Sequence, residues 1–244
     1  MRLENKNAII TGATGGIGFA TVSKYLDEGA NVMMVGRSED KLVEVHNQLG
    51  KPNNAAFCVA ESTDEIAIRD SVQNTNDTFG SVDIVIANAG TEGVVQPLID
   101  YSVKDFNHTL TVNVTGVWLY FKYAIPYMEN QGYGSIVAVA SGAGVVGFPG
   151  LCPYSASKHA VCGMVKTACL EYGEKGIRFN ALAPGPIDNR MMESLGTQSQ
   201  PDDPSDFREN VTANIPSGRY GTNEEMANLA LFLGSDESLS LIHI

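Results

Sequence analysis

Tyr154 and Lys158 stand four positions apart in the stretch Tyr154-Ser-Ala-Ser-Lys158. On a helix that spacing puts both side chains on one face. A free phenol titrates at about 10 and is a poor acid–base group at neutral pH. An ammonium beside it favours the phenolate and brings its pKa down toward the working range. The pair therefore has the make-up of a proton-transfer device. Alone the signal is weak. The spacing arises often by chance, a Tyr at a helix start is usually half-buried packing, and a Lys one turn later is usually a solvated head.

A second group of residues suits a diphosphate. Thr11-Gly-Ala-Thr-Gly-Gly-Ile-Gly18 follows the apolar run Asn7–Thr11 and opens a helical stretch. Glycine is needed where the backbone turns tightly and where a side chain would block a pyrophosphate. The N–H groups at the helix start then meet the negative charge. No Lys-Ser/Thr pair follows the loop, which disfavours hydrolysis of a nucleoside triphosphate.

These residues need a scaffold, and the chain supplies one. Six short apolar runs, Asn7–Thr11, Asn31–Gly36, Ala55–Ala60, Ile84–Ala87, Ser135–Ala140 and Arg178–Ala183, alternate with longer stretches of helical period. Runs that are apolar throughout suit parallel strands covered on both faces. In the stretch after Tyr154, Val161, Met164, Val165 and Ala168 form one apolar stripe. The alternation predicts an α/β fold, a single doubly wound parallel sheet over residues 1–244 as one domain. Residues 196–217, with Gly196, Pro201, Pro204 and Pro216, show no period and are expected to be a loop. Lying at the ligand end of the sheet, that loop reads as a lid over a substrate, the alternative being a tolerated surface insertion.

Composition excludes several classes. The 244 residues are 43% hydrophobic with a net charge of −12, so a basic face for nucleic acid is not expected. No apolar run approaches the ~18 residues of a membrane span. Cys58, Cys152, Cys162 and Cys169 form no Cys-x-x-Cys pair, and the four histidines lack ligand spacing, so no metal site is expected. A cytoplasmic location follows from the same reading.

In its ordered motifs the chain resembles the short-chain dehydrogenase/reductase family over nearly its whole length. The resemblance rests on TGATGGIG (11–18), ANAG (87–90), Asn113, Ser141, Tyr154-Ser-Ala-Ser-Lys158 and PGPI (184–187), in the family's order and spacing. It implies that Tyr154 exchanges a proton with a substrate hydroxyl or carbonyl oxygen. It also implies that Lys158 lowers the pKa of Tyr154 and bonds the nicotinamide ribose, that Ser141 bonds the same substrate oxygen, and that Asn113 holds a water linking Lys158 to solvent. Gly12, Thr14, Gly15 and Ile17 would cradle the diphosphate. Asn88, Ala89 and Gly90 would lie along the ribose, with Pro184, Gly185 and Ile187 bordering the nicotinamide. Glu61, beside Ser62, stands where an Asp commonly meets the adenine amine. Asn189 replaces a Thr that often contacts the carboxamide or diphosphate.

The cofactor reading turns on the end of the second strand. An acidic residue there would accept from the adenosine ribose of NAD. This chain has Gly36 and then Arg37 and Ser38. A guanidinium can pair bidentately with a 2′-phosphate and stack on adenine, so NADP(H) is preferred. NAD(H) remains possible, with Arg37 only stacking, and Gly15 stands where many NADP-binding relatives carry Lys or Arg.

The expected activity is NAD(P)-dependent interconversion of a secondary alcohol and a ketone, in a homotetramer if the C-terminus is complete. The alternatives are a non-catalytic nucleotide-binding regulator and an inactive truncated fragment. Residues 239–244 match the translation of a transposon end used to prepare sequencing libraries. They are read as a non-native tail in place of the family's last strand, the alternative being a genuine tail. The segments 92–101, 143–153 and 196–217 are expected to shape the substrate pocket but carry no motif that names the substrate.

Overall fold

Each apolar run becomes a strand in the computed structural model, which describes residues 1–241. They are β1 (Asn7–Thr11), β2 (Asn31–Gly36), β3 (Ala55–Val59), β4 (Ile84–Ala87), β5 (Gly134–Val139) and β6 (Ile177–Leu182). Between and after them lie α1 (Gly16–Asp27), α2 (Glu39–Gln48), α3 (Glu65–Phe79), α4 (Val103–Leu110), α5 (Gly116–Gln131), α6 (Cys152–Tyr172), α7 (Arg190–Ser199), α8 (Pro204–Ala213) and α9 (Asn223–Gly234). The strands form one parallel sheet in the order β3-β2-β1-β4-β5-β6. Ile10 sits opposite Met34 on one side and Ile86 on the other.

Successive side chains of a strand point to opposite faces, so β1 feeds two cores. Ala8 and Ile10 pack with Val22 and Tyr25 of α1, Leu42 of α2 and Leu231 of α9. Ile9 packs on the other face with Ile68 of α3, Phe121 of α5 and Val165 of α6. Burial on both faces is why the strands read as continuous apolar runs rather than alternating ones. Strand order reverses between β1 and β4, and at such a point the loops leaving the C-terminal strand ends diverge and open a crevice.

Residues 196–217 correct the sequence reading. They are not a long loop: Gly196 lies in the last turns of α7, and α8 follows after Gln200–Asp203. Asn189 caps α7 by accepting from Met191 N–H, and Asp203 caps α8 by accepting from Ser205 and Asp206 N–H, with Pro204 at the first helical position. The period was hidden because these helices lie over a cleft instead of in the core, so only a few positions such as Leu195, Phe207 and Val211 are apolar.

The end of the described chain is held by β6. The buried Arg178 guanidinium donates to the carbonyls of Leu233, Ser235 and Ser238, and the Asn180 amide donates to the carbonyl of Leu241 at 2.8 Å. Of the tail 239–244, residues 242–244 lie outside the described residues. Among the described residues no helix is long and apolar enough to cross a membrane.

Candidate active site

The loop after β1 is shaped by contacts that only glycine allows. Gly12 has φ +62°, and a Cβ there would come within 3.0 Å of the Ala89 backbone. A Cβ on Gly18 would lie 2.1 Å from the Gly12 carbonyl oxygen, so the first turn of α1 folds tightly onto the loop. The N-cap of α1 is Gly15, which offers no side-chain acceptor. The first-turn N–H groups are therefore left for an external anion. Thr11 ties this loop to the next: its hydroxyl accepts from Asn88 and Ala89 N–H at 2.9 and 2.8 Å, and the Asn88 amide donates back to the Thr11 carbonyl. Asn88 thus braces the loop, a role the sequence reading did not assign to it.

The residues expected to transfer a proton come together from α6 and the end of β5. Tyr154 and Lys158 come from the first turns of α6, both buried. Ser141 follows the end of β5, where its hydroxyl also accepts from Ala143 N–H. Lys158 Nζ donates to the Val139 carbonyl at 2.7 Å and lies 5.6 Å from the centre of the Tyr154 ring. Burial pushes Lys158 down to about 8. Burial pushes Tyr154 up, and the Ser141 hydroxyl draws it partly back. Burial thus outweighs the lowering expected from Lys158. In this state the ammonium is spent on a carbonyl, and the cost of placing a phenolate out of water dominates.

Asn113 is fully buried behind the cleft, in a π-turn spanning Thr111–Thr115 between α4 and α5. Its side-chain oxygen accepts from Thr91 N–H at 2.8 Å, and its amide donates to the Thr91 carbonyl and to Ser157 Oγ at 2.9 and 3.0 Å. Both amide hydrogens are committed, so a water there must be met by an oxygen of Asn113. Ser157, missed in the sequence, is the buried partner that fixes it. A Cβ on Gly90 would stand 3.2 Å from Asn113 Oδ1 and 3.6 Å from Lys158 Nζ, so glycine keeps these two groups in reach of one space.

One cleft of about 840 Å³ joins the two halves. It runs from Arg37, Ser38, Glu61 and Ser62, past Gly12, Thr14, Gly15, Ile17 and Asn88–Gly90, to Ser141, Tyr154 and Lys158, with Pro184, Gly185 and Ile187 along its side. Of the candidate residues only Asn113 stands off its wall. Beyond Tyr154 the lining passes to Glu92, Val95, Phe148, Met191 and Phe207. All three segments expected to shape the pocket contribute.

A family model for short chain dehydrogenases matches residues 6–200. The chain belongs to the short-chain dehydrogenase family. It is 38% identical over 240 residues to the 3-oxoacyl-(acyl-carrier-protein) reductase FabG of Thermotoga maritima, covering 98% of this chain and 94% of the relative. Among solved structures, levodione reductase has a TM-score of 0.96 at 32% identity, covering 99% of this chain and 95% of that one. NAD+-bound xylitol dehydrogenase has a TM-score of 0.93 at 30% identity, covering 99% and 96%.

This short-chain dehydrogenase family member is thus an oxidoreductase of a family that binds NAD or NADP and works on small molecules. Its own residues fit such a dinucleotide. The uncapped helix start faces the cleft, and Arg37 at the far end is exposed, with no hydrogen bond or ion pair among the described residues. Two departures from the family pattern find local uses. Glu61 Oε1 accepts from Ser62 N–H at 3.1 Å, and the Asn189 amide donates to Asn223 Oδ1 at 3.3 Å while its oxygen caps α7.

Proposed function

We propose that this protein interconverts a secondary alcohol and a ketone, with Tyr154 as the acid–base group and NADP(H) preferred over NAD(H). The observation that carries the reading is a buried tyrosine hydroxyl beside Ser141 in the same cleft as an uncapped helix N-terminus and an exposed Arg37. A bound dinucleotide supplies or accepts the hydride. In reduction, the substrate oxygen accepts from the Ser141 and Tyr154 hydroxyls, and Tyr154 gives up its proton as negative charge grows on that oxygen. The raised pKa of Tyr154 keeps it protonated at neutral pH, ready to donate.

Lys158 then matters electrostatically. Its ammonium, 5.6 Å from the ring centre in a buried setting, stabilises the phenolate left behind. Asn113, held by Thr91 and Ser157, fixes the floor against which Lys158 lies. Glu61, Ser62, Asn88, Ala89, Gly90, Pro184, Gly185 and Ile187 line the length of a dinucleotide and would hold it. Arg37 and Ser38 would take the 2′-phosphate. The helical segment formed by the end of α7 and α8 would serve as the lid. The same reading has the enzyme working as a homotetramer, if the C-terminus is complete, in the cytoplasm, where its four cysteines would stay reduced.

The test is absorbance of the reduced nicotinamide with a panel of ketones and alcohols and both cofactors, repeated on Tyr154→Phe. The Tyr154 hydroxyl makes only weak bonds in the structure, to Met191 Sδ at 3.8 Å and beside the Ser141 hydroxyl, so its loss should leave thermal stability and cofactor affinity nearly unchanged. Turnover should fall by ~10²–10⁴-fold. Activity retained in that variant would refute the assignment.

A further inference from the structure

We propose that the substrate half of the cleft selects an uncharged ketone or secondary alcohol with an apolar body, and rejects polyhydroxylated and anionic ones. The inference rests on the oxidoreductase reading above and deepens it. Beyond Tyr154 the walls are Val95, Phe148, Leu151, Met191, Leu195 and Phe207. Met191 brings the apolar wall up to the Tyr154 hydroxyl itself, with its sulfur 3.8 Å away.

Most polar groups at this wall already have partners within the protein, and helix α7 shows how. Its positions sort into two stripes. Met191 and Leu195 line the cleft, while Arg190, Ser194 and Gln198, each four residues apart, share another face, from whose end the exposed Arg190 also reaches the cleft. That polar face is bonded to the strap after β4. Arg190 makes a two-pronged pair with Glu92 at 3.1 and 3.2 Å. Gln198 accepts from Val95 N–H at 3.0 Å and donates to the Gly93 carbonyl at 3.3 Å.

Glu92 is the acidic group nearest this chamber, with only 6% of its side chain exposed. Burial pushes its carboxyl upward, but bonds from Arg190, the backbone and Ser194 outweigh that and hold it below the usual carboxylate range. It stays ionised and matched to Arg190. Asn189 is likewise spent on Met191 N–H and Asn223. His108 and Ser199 also line the cleft, and both are exposed to water.

A ligand hydroxyl pressed against such a wall loses its water partners and finds none in return, at a cost of ~10–100-fold in affinity per group. A carboxylate would lose more, since it meets the like charge of the buried Glu92, and the cation beside it, the solvated Arg190, is already paired with Glu92. An apolar ring or chain meets side chains of its own kind.

Three ketones of one shape test this: 4-methylcyclohexanone, 4-hydroxycyclohexanone and 4-oxocyclohexanecarboxylate. They are assayed for kcat/KM with wild-type protein and either reduced cofactor. Their binding to cofactor-loaded Tyr154→Phe is measured by calorimetry. The methyl compound should exceed the hydroxyl compound by at least tenfold and the carboxylate by at least a hundredfold in both measurements. Equal or better values for the hydroxyl or the carboxylate overturn the inference, as does failure of the methyl compound to bind. If the predicted binding order appears without turnover by the wild type, the chamber is as described and the proton-transfer reading is the one that fails.

Discussion

Replacing Arg37 by Ala isolates the cofactor reading. Arg37 follows β2 directly, is exposed, lines the cleft, and makes no hydrogen bond or ion pair among the described residues. Its removal should therefore leave the thermal midpoint unchanged. A guanidinium paired with a phosphate through charge-assisted bonds contributes about tenfold to a hundredfold in affinity. Stacking on adenine contributes only a few-fold at an exposed site. Arg37→Ala should thus raise the Kd of NADPH by about 10–100-fold and that of NADH by no more than about 5-fold. Lys41, exposed in the first turn of α2, lines the same end of the cleft, so Arg37→Ala with Lys41→Ala should weaken NADPH further. Titration followed by fluorescence of the reduced nicotinamide measures both constants. Raising the salt concentration should shrink the wild-type preference, because exposed charges are screened. Equal rises for the two cofactors would refute the reasoning and leave Arg37 as a stacking group.

Two further outcomes follow from the interior. Lys158 is fully buried and titrates at about 8 when folded, against 10.5 in the unfolded chain. Between those values the unfolded state holds the extra proton, so this group's contribution to stability rises with pH and is lost as pH falls through about 8. Urea unfolding at pH 7.5 and 9.5 should show wild type gaining about 2 kcal/mol relative to Lys158→Met, and no relative gain would contradict the burial of that charge. Gly18→Ala forces a methyl to 2.1 Å from a backbone oxygen, and backbone cannot give way as a side chain end can. It should lower stability by ~1–3 kcal/mol and weaken both cofactors together, as read by thermal melts and the same titration.

Chain-local patterns carried most of the fold and the cofactor half of the site. The strand runs are visible because both faces of the inner strands are covered, and the loop 11–18 is visible because its glycines cluster, Gly18 answering to a carbonyl six residues back although Gly12 answers to Ala89 on the next loop. Tyr154 and Lys158 share a helix, so their spacing alone placed them together. Other features lie between segments distant in the chain. Glu92 and Arg190 are ordinary charges until the fold brings them into contact, and the polar stripe of α7 has no meaning without the strap it bonds. Residues 196–217 lacked a core-facing period because their helices roof a cleft, so composition pointed wrongly to a loop. The titration of Tyr154 was likewise beyond the sequence. Adjacency to Lys158 predicted a lowered pKa, but the distance from water and the carbonyl that claims the ammonium decided the direction, and both are properties of the packed structure. Sequence fixes what depends on neighbours along the chain; desolvation and pairing depend on neighbours in space.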